Sequence, residues 1–141
     1  MTSQDAIEFT SDMRCNHNDI DAEHFAIIQS IQNINSAIVF RRERLIIANS
    51  FRSLYGKAAS HFYNEERIMS SIGYFGIFEQ RIAHRYLLEQ ISVLKEWHEN
   101  NEIRSKFGGI IPLYKLLTNH FVTMDKDIGI FISKYQNRFT A

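Results

Sequence analysis

Apolar residues recur at intervals of three and four along most of the chain, the period that places them on one face of an α-helix. A strand would instead alternate apolar and polar residues, and no segment sustains that alternation. Four runs carry the helical period: helix A with Ile27, Ile28, Ile31, Ile34 and Ile38, helix B at roughly 44–71, helix C at roughly 77–100, and helix D from Pro112 to Ile132. The chain is therefore predicted to be all-α and to fold as an antiparallel up-down four-helix bundle.

Short breaks separate these runs, and they contain residues that favour turns. The Gly-Tyr-Phe-Gly segment at 73–76 is predicted to be a tight connection between helices B and C. Gly108-Gly109 is predicted to interrupt the helical pattern before helix D. Asp19 or Asp21 is the expected N-cap of helix A, since a short carboxylate can accept the first free backbone N–H groups.

Length and composition narrow the class of protein. The 141 residues, 45% of them hydrophobic, predict one domain (1–141), with an N-terminal arm at about 1–18 and the bundle at about 19–135. Sixteen basic and sixteen acidic residues give zero net charge, which argues against nucleic acid or an anionic membrane as a partner. A single cysteine, Cys15, and the lack of a signal-peptide or membrane-spanning pattern predict a cytoplasmic protein.

Each predicted helix also carries polar side chains on its apolar face. These residues are His24, His61, Glu65, Gln80, His84, His120 and Asp125. Taken singly, a histidine on such a face is more often a hydrogen-bonded core residue than a ligand. Taken together, these groups would be costly to bury without partners, and a metal centre removes that cost. We therefore predict a metal site inside the bundle.

The types of donor narrow the choice of metal. Imidazole and carboxylate without thiolate suit iron, zinc, manganese or copper. Four imidazoles and two carboxylates exceed what one tetrahedral zinc needs, and they favour two metals bridged by carboxylates. The pairs present are His-x-x-x-Glu at 61–65 and His-x4-Asp at 120–125, rather than the Glu-x-x-His pairs of ferritin-like bundles, so a histidine-rich centre is predicted.

Three segments together resemble the hemerythrin family, specifically its single-domain bacterial members, over about residues 12–132. CNHNDIDAEH is similar to the family's Ile-Asp-x-x-His at the start of helix A. HFYNEERIMSSIGYF is similar to His-Phe-x-x-Glu-Glu-x-x-Met followed by Gly-Tyr-Pro, with Phe75 in place of proline. HFVTMD is similar to His-Ile-x-x-x-Asp, with Phe121 in place of isoleucine.

The resemblance implies an up-down bundle with two iron ions, joined by an oxo or hydroxo bridge and by carboxylates, that binds dioxygen reversibly and end-on at one iron. By position, the ligands would be His24 and His61 for the dioxygen-binding iron, Glu65 and Asp125 as bridges, and His84, His120 and residue 80 for the other iron.

Residue 80 departs from the family pattern, because the chain has Gln80 where the family has the first histidine of His-x-x-x-His. The spacing from Glu65 fits the family, and no other histidine lies within a turn. Three outcomes are open: Gln80 binds the metal through its carbonyl oxygen, water fills the position and Gln80 hydrogen-bonds to it, or this second metal is lost.

The resemblance also implies an apolar pocket that shields bound dioxygen from water. The residues at suitable offsets are Phe62, Leu87, Leu116, Leu117 and Phe121, each of which is equally an ordinary core position. Leu116 stands where the family usually has tryptophan. His17 and His98 lie outside the ligand pattern and are predicted to be surface residues.

The function that these patterns favour is an oxygen-binding non-haem di-iron protein that carries, stores or senses dioxygen. A first alternative is a di-iron enzyme or sensor that reacts with peroxide or nitric oxide at a position opened by Gln80. A second is a signalling module whose degenerate site binds one metal or none. The expected ligand is dioxygen or another small diatomic molecule. The sequence does not identify a protein partner.

Overall fold

A computed structural model describes residues 7–100 and 110–140, with side chains described up to 136. The described residues contain no strand, and the helices pack as the predicted four-helix bundle, which confirms the all-α fold class. The helices are α1 (Asn18–Val39), α2 (Arg44–Ile72), α3 (Ile77–Asn100), and a fourth rod made of α4 (Ile111–His120), a π-helical segment (Phe121–Asp125) and α5 (Lys126–Thr140). Gly108-Gly109, predicted to break the chain, lies outside the described residues.

The ends of α1 and α2 show how local chemistry sets the helix bounds. The cap of α1 is His17, whose Nδ1 accepts the Ile20 N–H at 3.2 Å, so the prediction of Asp19 or Asp21 as cap is wrong. Both aspartates lie inside the first turn instead, where the helix dipole favours negative charge. The C-cap of α2 is Gly73, whose φ of 66° is accessible to glycine without strain.

Apolar packing forms two separate clusters of buried residues. The larger contains Ile27, Phe51, Phe62, Leu87 and Phe121, and the smaller contains Ile20, Met69, Tyr74, Ile128 and Ile132. Buried residues of α1, α2 and the fourth rod belong to both clusters, whereas α3 contributes buried residues to the larger cluster and the partly buried Ile77 to the smaller. The predicted ligands lie near the boundary between the two clusters. The polar residues therefore occupy one level of the bundle, with apolar packing on both sides of it.

The fourth rod has an irregularity at that level. In an α-helix, residues five apart point about 140° away from each other, so His120 and Asp125 would face different directions. The π-helical segment Phe121–Asp125 widens the turn and turns both side chains to the same side. His120 Nε2 consequently lies 3.0 Å from Asp125 Oδ1.

The N-terminal arm runs along the outside of the bundle. Gln32 Nε2 donates to the Ile7 carbonyl at 2.7 Å, and the Tyr114 hydroxyl donates to the Glu8 carbonyl at 2.7 Å. The arm then crosses Gly129 so closely that a Cβ there would overlap the Cys15 carbonyl oxygen. No helix in the described part of the chain has the length and hydropathy needed to span a bilayer.

Candidate metal centre

Six of the predicted ligands meet inside the bundle, and all are at most 5% exposed: His24, His61, Glu65, His84, His120 and Asp125. They form two groups, His24–His61–Glu65–Asp125 and Glu65–His84–His120–Asp125, whose candidate ligand atoms lie within 4.8 Å of one another. Two donors on opposite sides of a metal are about 4.2 Å apart when each bond is about 2.1 Å, so each group has the size of a site for one ion.

Asp125 links the two groups through different oxygen atoms. Its Oδ2 lies 2.9 Å from His24 Nε2 and 3.9 Å from His61 Nε2. Its Oδ1 lies 3.0 Å from His120 Nε2, in the other group. A carboxylate that turns one oxygen to each of two imidazole sets is placed to bridge two metal ions.

Glu65 is the second shared carboxylate. Its Oε1 lies 3.3 Å from His61 Nε2 and 3.2 Å from His84 Nε2, one histidine from each group. Neither contact has the alignment of a hydrogen bond, and both Glu65 oxygens lack a hydrogen-bond partner among the described residues. A fully buried carboxylate without such partners is costly, and a cation between it and the imidazoles would remove that cost.

The unpaired atoms of the histidines point to the same conclusion. Nε2 of His61, of His84 and of His120 is buried without a hydrogen-bond partner in the described part of the chain. Neutral imidazole binds metals through such a nitrogen, and iron, zinc, manganese and copper all accept this ligand together with carboxylate. The residues present therefore fit two metal ions.

Three histidines have their other ring nitrogen held by an acceptor. Nδ1 donates from His24 to the Met13 carbonyl at 3.3 Å, from His61 to Glu23 Oε1 at 2.7 Å, and from His84 to Glu66 Oε2 at 2.8 Å. Because Nδ1 carries the proton, Nε2 is left as the ligand atom facing the centre. Hydrogen bonds of this kind orient metal-bound imidazoles and raise their basicity.

Glu23 and Glu66 were missed by sequence reasoning. Each stands next to a ligand in the chain, Glu23 before His24 and Glu66 after Glu65, yet each orients a histidine of another helix. Both are also tied at their second oxygen, since Asn64 Nδ2 donates to Glu23 and Arg81 Nε donates to Glu66. The paired Glu-Glu of HFYNEER was the available signal for Glu66.

Gln80 lies at the centre rather than away from it. It is 1% exposed, and its Nε2 donates to Asp125 Oδ1 at 3.3 Å. Its Oε1 has no hydrogen-bond partner among the described residues. The amide therefore occupies the place of the histidine expected at position 80 and contacts a bridging carboxylate.

Electrostatics favour the charged forms of His61, His120 and Asp125 in spite of burial, as their pKa values show. Burial alone would lower the pKa of His61, but the charge of Glu65 and hydrogen bonds to carboxylates raise this pKa well above its usual value. Burial would raise the pKa of Asp125, yet the charge of His120 and the hydrogen bond from His24 hold it well below its usual value. Protons and metal ions thus compete for the same Nε2 atoms.

Aromatic rings enclose the ligands from two sides. Phe62 stacks on His84 with ring centroids 4.1 Å apart, and Phe121 stacks on His24 at 3.7 Å. Both rings belong to the predicted apolar pocket, and so do the buried Leu87 and Leu117.

Leu116 and His98 lie elsewhere than the sequence suggested. Leu116, predicted for the same pocket, is 37% exposed and lines a surface groove between α3 and α4. His98, predicted to be a surface residue, is buried and stacks on Phe51, so that prediction is wrong. Neither side chain belongs to the two ligand groups.

Comparisons with known proteins add no family assignment: no protein-family model matches the chain, and no curated protein matches it significantly. The functional interpretation therefore rests on the geometry of the cluster and on the spacing of its residues.

Proposed function

We propose that this chain is a hemerythrin-like protein that holds two iron ions and binds dioxygen reversibly. The observation that carries the proposal is the placement of Asp125, with one oxygen near His24 and His61 and the other near His120. The hemerythrin resemblance supports iron as the metal, and the irons, when bound, supply the reversible binding of dioxygen.

The protein's own residues provide the setting for that binding. The outer acceptors on His24, His61 and His84 fix each ring, and the cluster is closed to solvent. Phe62 and Phe121 place apolar rings against the ligands, which keeps water and protons away from a small apolar molecule in the centre.

Iron content and reversible dioxygen uptake test the proposal together. Anaerobically reconstituted protein is expected to hold two irons per chain and to take up one dioxygen, which is released under argon. His24→Gln removes a ligand and should lower both values, whereas His17→Asn keeps a helix cap outside the cluster and should leave both unchanged. Iron content of two without any dioxygen uptake would contradict the proposal.

A second candidate function has an observation of its own in its favour. Gln80 gives its amide N–H to Asp125, so each group has two histidines and two shared carboxylates. Metal ions held by so few protein ligands would leave room for peroxide or nitric oxide to bind, as an enzyme or sensor of these molecules requires. Catalytic consumption of either substrate by the iron-loaded protein would favour this candidate over a carrier.

The variant Gln80→His separates the two candidates further. A histidine at position 80 should fill the ligand position that Gln80 leaves free. If that free position causes autoxidation in air, the rate of autoxidation should fall. Gln80→Glu is the matched control, since it keeps the length of the side chain but adds a negative charge. An unchanged autoxidation rate in Gln80→His would show that the glutamine is not the cause.

A further inference from the structure

The outer face of α3 carries a stripe of apolar side chains that are each at least half exposed in the described chain. Its members are Phe78, Ile82, Tyr86 and Val93, which are 69, 67, 51 and 53% exposed. Spacings of four, four and seven keep them on one side of the helix, away from the side that buries His84, Leu87 and Ile91. Large exposed apolar side chains that share one face of a helix, here on both sides of Glu89, suit an interaction surface.

A groove opens at the carboxyl end of the same face. It lies between α3 and α4, has a volume of about 240 Å³, and is lined by Gln90, Val93, Leu94, Trp97, Pro112, Leu113 and Leu116. The lining is almost wholly apolar, and Val93 belongs to the stripe as well as to the groove. The face thus has a protruding ring, Phe78, at one end and an apolar recess at the other.

The charges on this face are arranged with opposite signs in its two halves. Arg85 lies toward the Phe78 end and Glu89 toward the groove end, and both are exposed. Neither forms a salt bridge among the described residues, although Arg81 on the same helix pairs with Glu66 at 3.3 Å. An exposed, unpaired charge of each sign beside an apolar row suits a partner with the reverse order of charges.

We propose that two copies of this chain associate through α3 as a two-fold symmetric, antiparallel dimer. A two-fold axis level with Leu87 places Arg85 of each copy opposite Glu89 of the other, which gives two equivalent ion pairs. The same axis brings Phe78 level with Glu96 of the second copy. This position lies between the groove residues Val93 and Trp97. Phe78 lies nine residues of helix, about 13.5 Å, from this axis, and the groove residues Val93 and Trp97 lie about 9 and 15 Å beyond it, so each ring is level with the other copy's recess.

A second copy fits this face because the face is complementary to itself. A two-fold axis brings the ring of Phe78 in each copy to the groove of the other copy. The same axis brings Arg85 of each copy to Glu89 of the other. The dimer is independent of the proposed function, since the metal-ligand candidates His84 and Gln80 lie on the buried side of α3.

Sedimentation equilibrium of the full chain over a wide concentration range tests the dimer. Wild type should approach twice the chain mass of 16.6 kDa, with and without added iron. Phe78→Ser should weaken association at least about tenfold, as expected when an aromatic side chain that fills a partner's recess is truncated. Phe40→Ser is the matched control: Phe40 is 72% exposed but lies at the α1–α2 turn, so its change should have no effect.

Charge exchange distinguishes this register from any other apolar contact. Arg85→Glu and Glu89→Arg should each weaken the dimer at least about tenfold, by placing like charges opposite each other, while the double variant R85E/E89R should restore it. Circular dichroism checks that the variants stay folded, which exposed positions allow. A monomeric wild type at all concentrations, or a double variant no tighter than the single ones, would overturn the proposal.

Discussion

At the scale of single residues, three of the four histidines of the cluster, His24, His61 and His84, use their two ring nitrogens for different purposes. Nδ1 of His84 donates to Glu66, and its Nε2 faces Glu65. The outer carboxylate fixes the ring and supplies negative charge behind a bound cation. Metal affinity should therefore depend on residues that never touch the metal.

Glu66→Gln tests that dependence. The amide keeps an acceptor for His84 but loses the charge, so we expect metal affinity to fall about 10–100-fold, as measured by competition with a chelator. Glu66 is 27% exposed, so the change should alter the free energy of unfolding of the metal-free protein little. Glu79→Gln, an exposed change in the first turn of α3, is the control. Equal affinities for the two variants would contradict the argument.

The ionised pairs also predict how the stability of the metal-free protein depends on pH. The pKa values of His61 and His120 are raised above 6.5, so their contribution is complete below 6.5 and is lost as pH rises through the folded pKa. The pKa of Asp125 lies below 3.8, so its contribution is complete above 3.8 and is lost as pH falls through the folded pKa.

Urea unfolding of the metal-free protein should therefore give the highest free energy of unfolding between about pH 4 and pH 6.5, with a decline toward alkaline pH. Iron affinity should change in the opposite direction, because deprotonated imidazole is the ligand. His61→Gln should flatten the alkaline decline. A stability that rises steadily from pH 6 to pH 9 would contradict the assigned charges.

At the scale of elements, the π-helical segment explains how His120 and Asp125, five residues apart, come to face the same side. One extra residue in a helical turn is absorbed between Phe121 and Asp125, while α4 and α5 keep the directions that their core residues require. Deleting that residue should leave an ordinary α-helix, in which positions four apart share a face.

Deletion of Thr123, an exposed residue in the segment, is therefore expected to preserve metal binding and the helix signal in circular dichroism. Deletion of Asp127, exposed in α5, is the matched control. It rotates Ile128 and Ile132 by about 100° out of the core, and should cost several kcal/mol, about 2–5, in the free energy of unfolding. Loss of metal in the Thr123 deletion would show that the wide turn itself is needed.

The N-terminal arm packs closely on α5 at Gly129, and this contact predicts how substitutions of glycine change stability. In Gly129→Ala the new Cβ overlaps the Cys15 backbone, so the arm must move and the free energy of unfolding should fall by about 1–3 kcal/mol. Gly56→Ala, with nothing within 4 Å of the added Cβ, should raise it by about 0.5–1 kcal/mol. Urea titration measures both, and equal effects would contradict the packing argument.

The sequence predicts well what a regular helix determines, and poorly what depends on irregular turns or on neighbours distant in the chain. The bounds of α2 and α3 follow from a 3.6-residue period and a glycine turn. The π-helical segment has no such period, and Glu23 acquires its role from His61, 38 residues away. His98 sits in a polar stretch of sequence, and only the tertiary fold shows it stacked on Phe51.

At the scale of the whole molecule, the cluster joins all four helical rods at a single level. His24 comes from α1, Glu65 from α2, His84 from α3, and Asp125 from the fourth rod. Unfolding α2 or the fourth rod separates ligands of both groups, and unfolding α1 or α3 removes a ligand from one of them. Metal binding should therefore stabilise the bundle as one cooperative unit.

Iron loading is accordingly expected to raise the thermal midpoint of the entire unfolding transition. At free iron about one hundredfold above the dissociation constant, the gain is about 2.7 kcal/mol, which corresponds to a shift of roughly 10 °C in a chain of this size. Differential scanning calorimetry under anaerobic conditions measures the shift, and a chelator should reverse it. Asp125→Asn weakens both groups at once and should abolish most of the shift, whereas His17→Asn should retain it. A shift that survives in Asp125→Asn would mean that the stabilising metal binds outside this cluster.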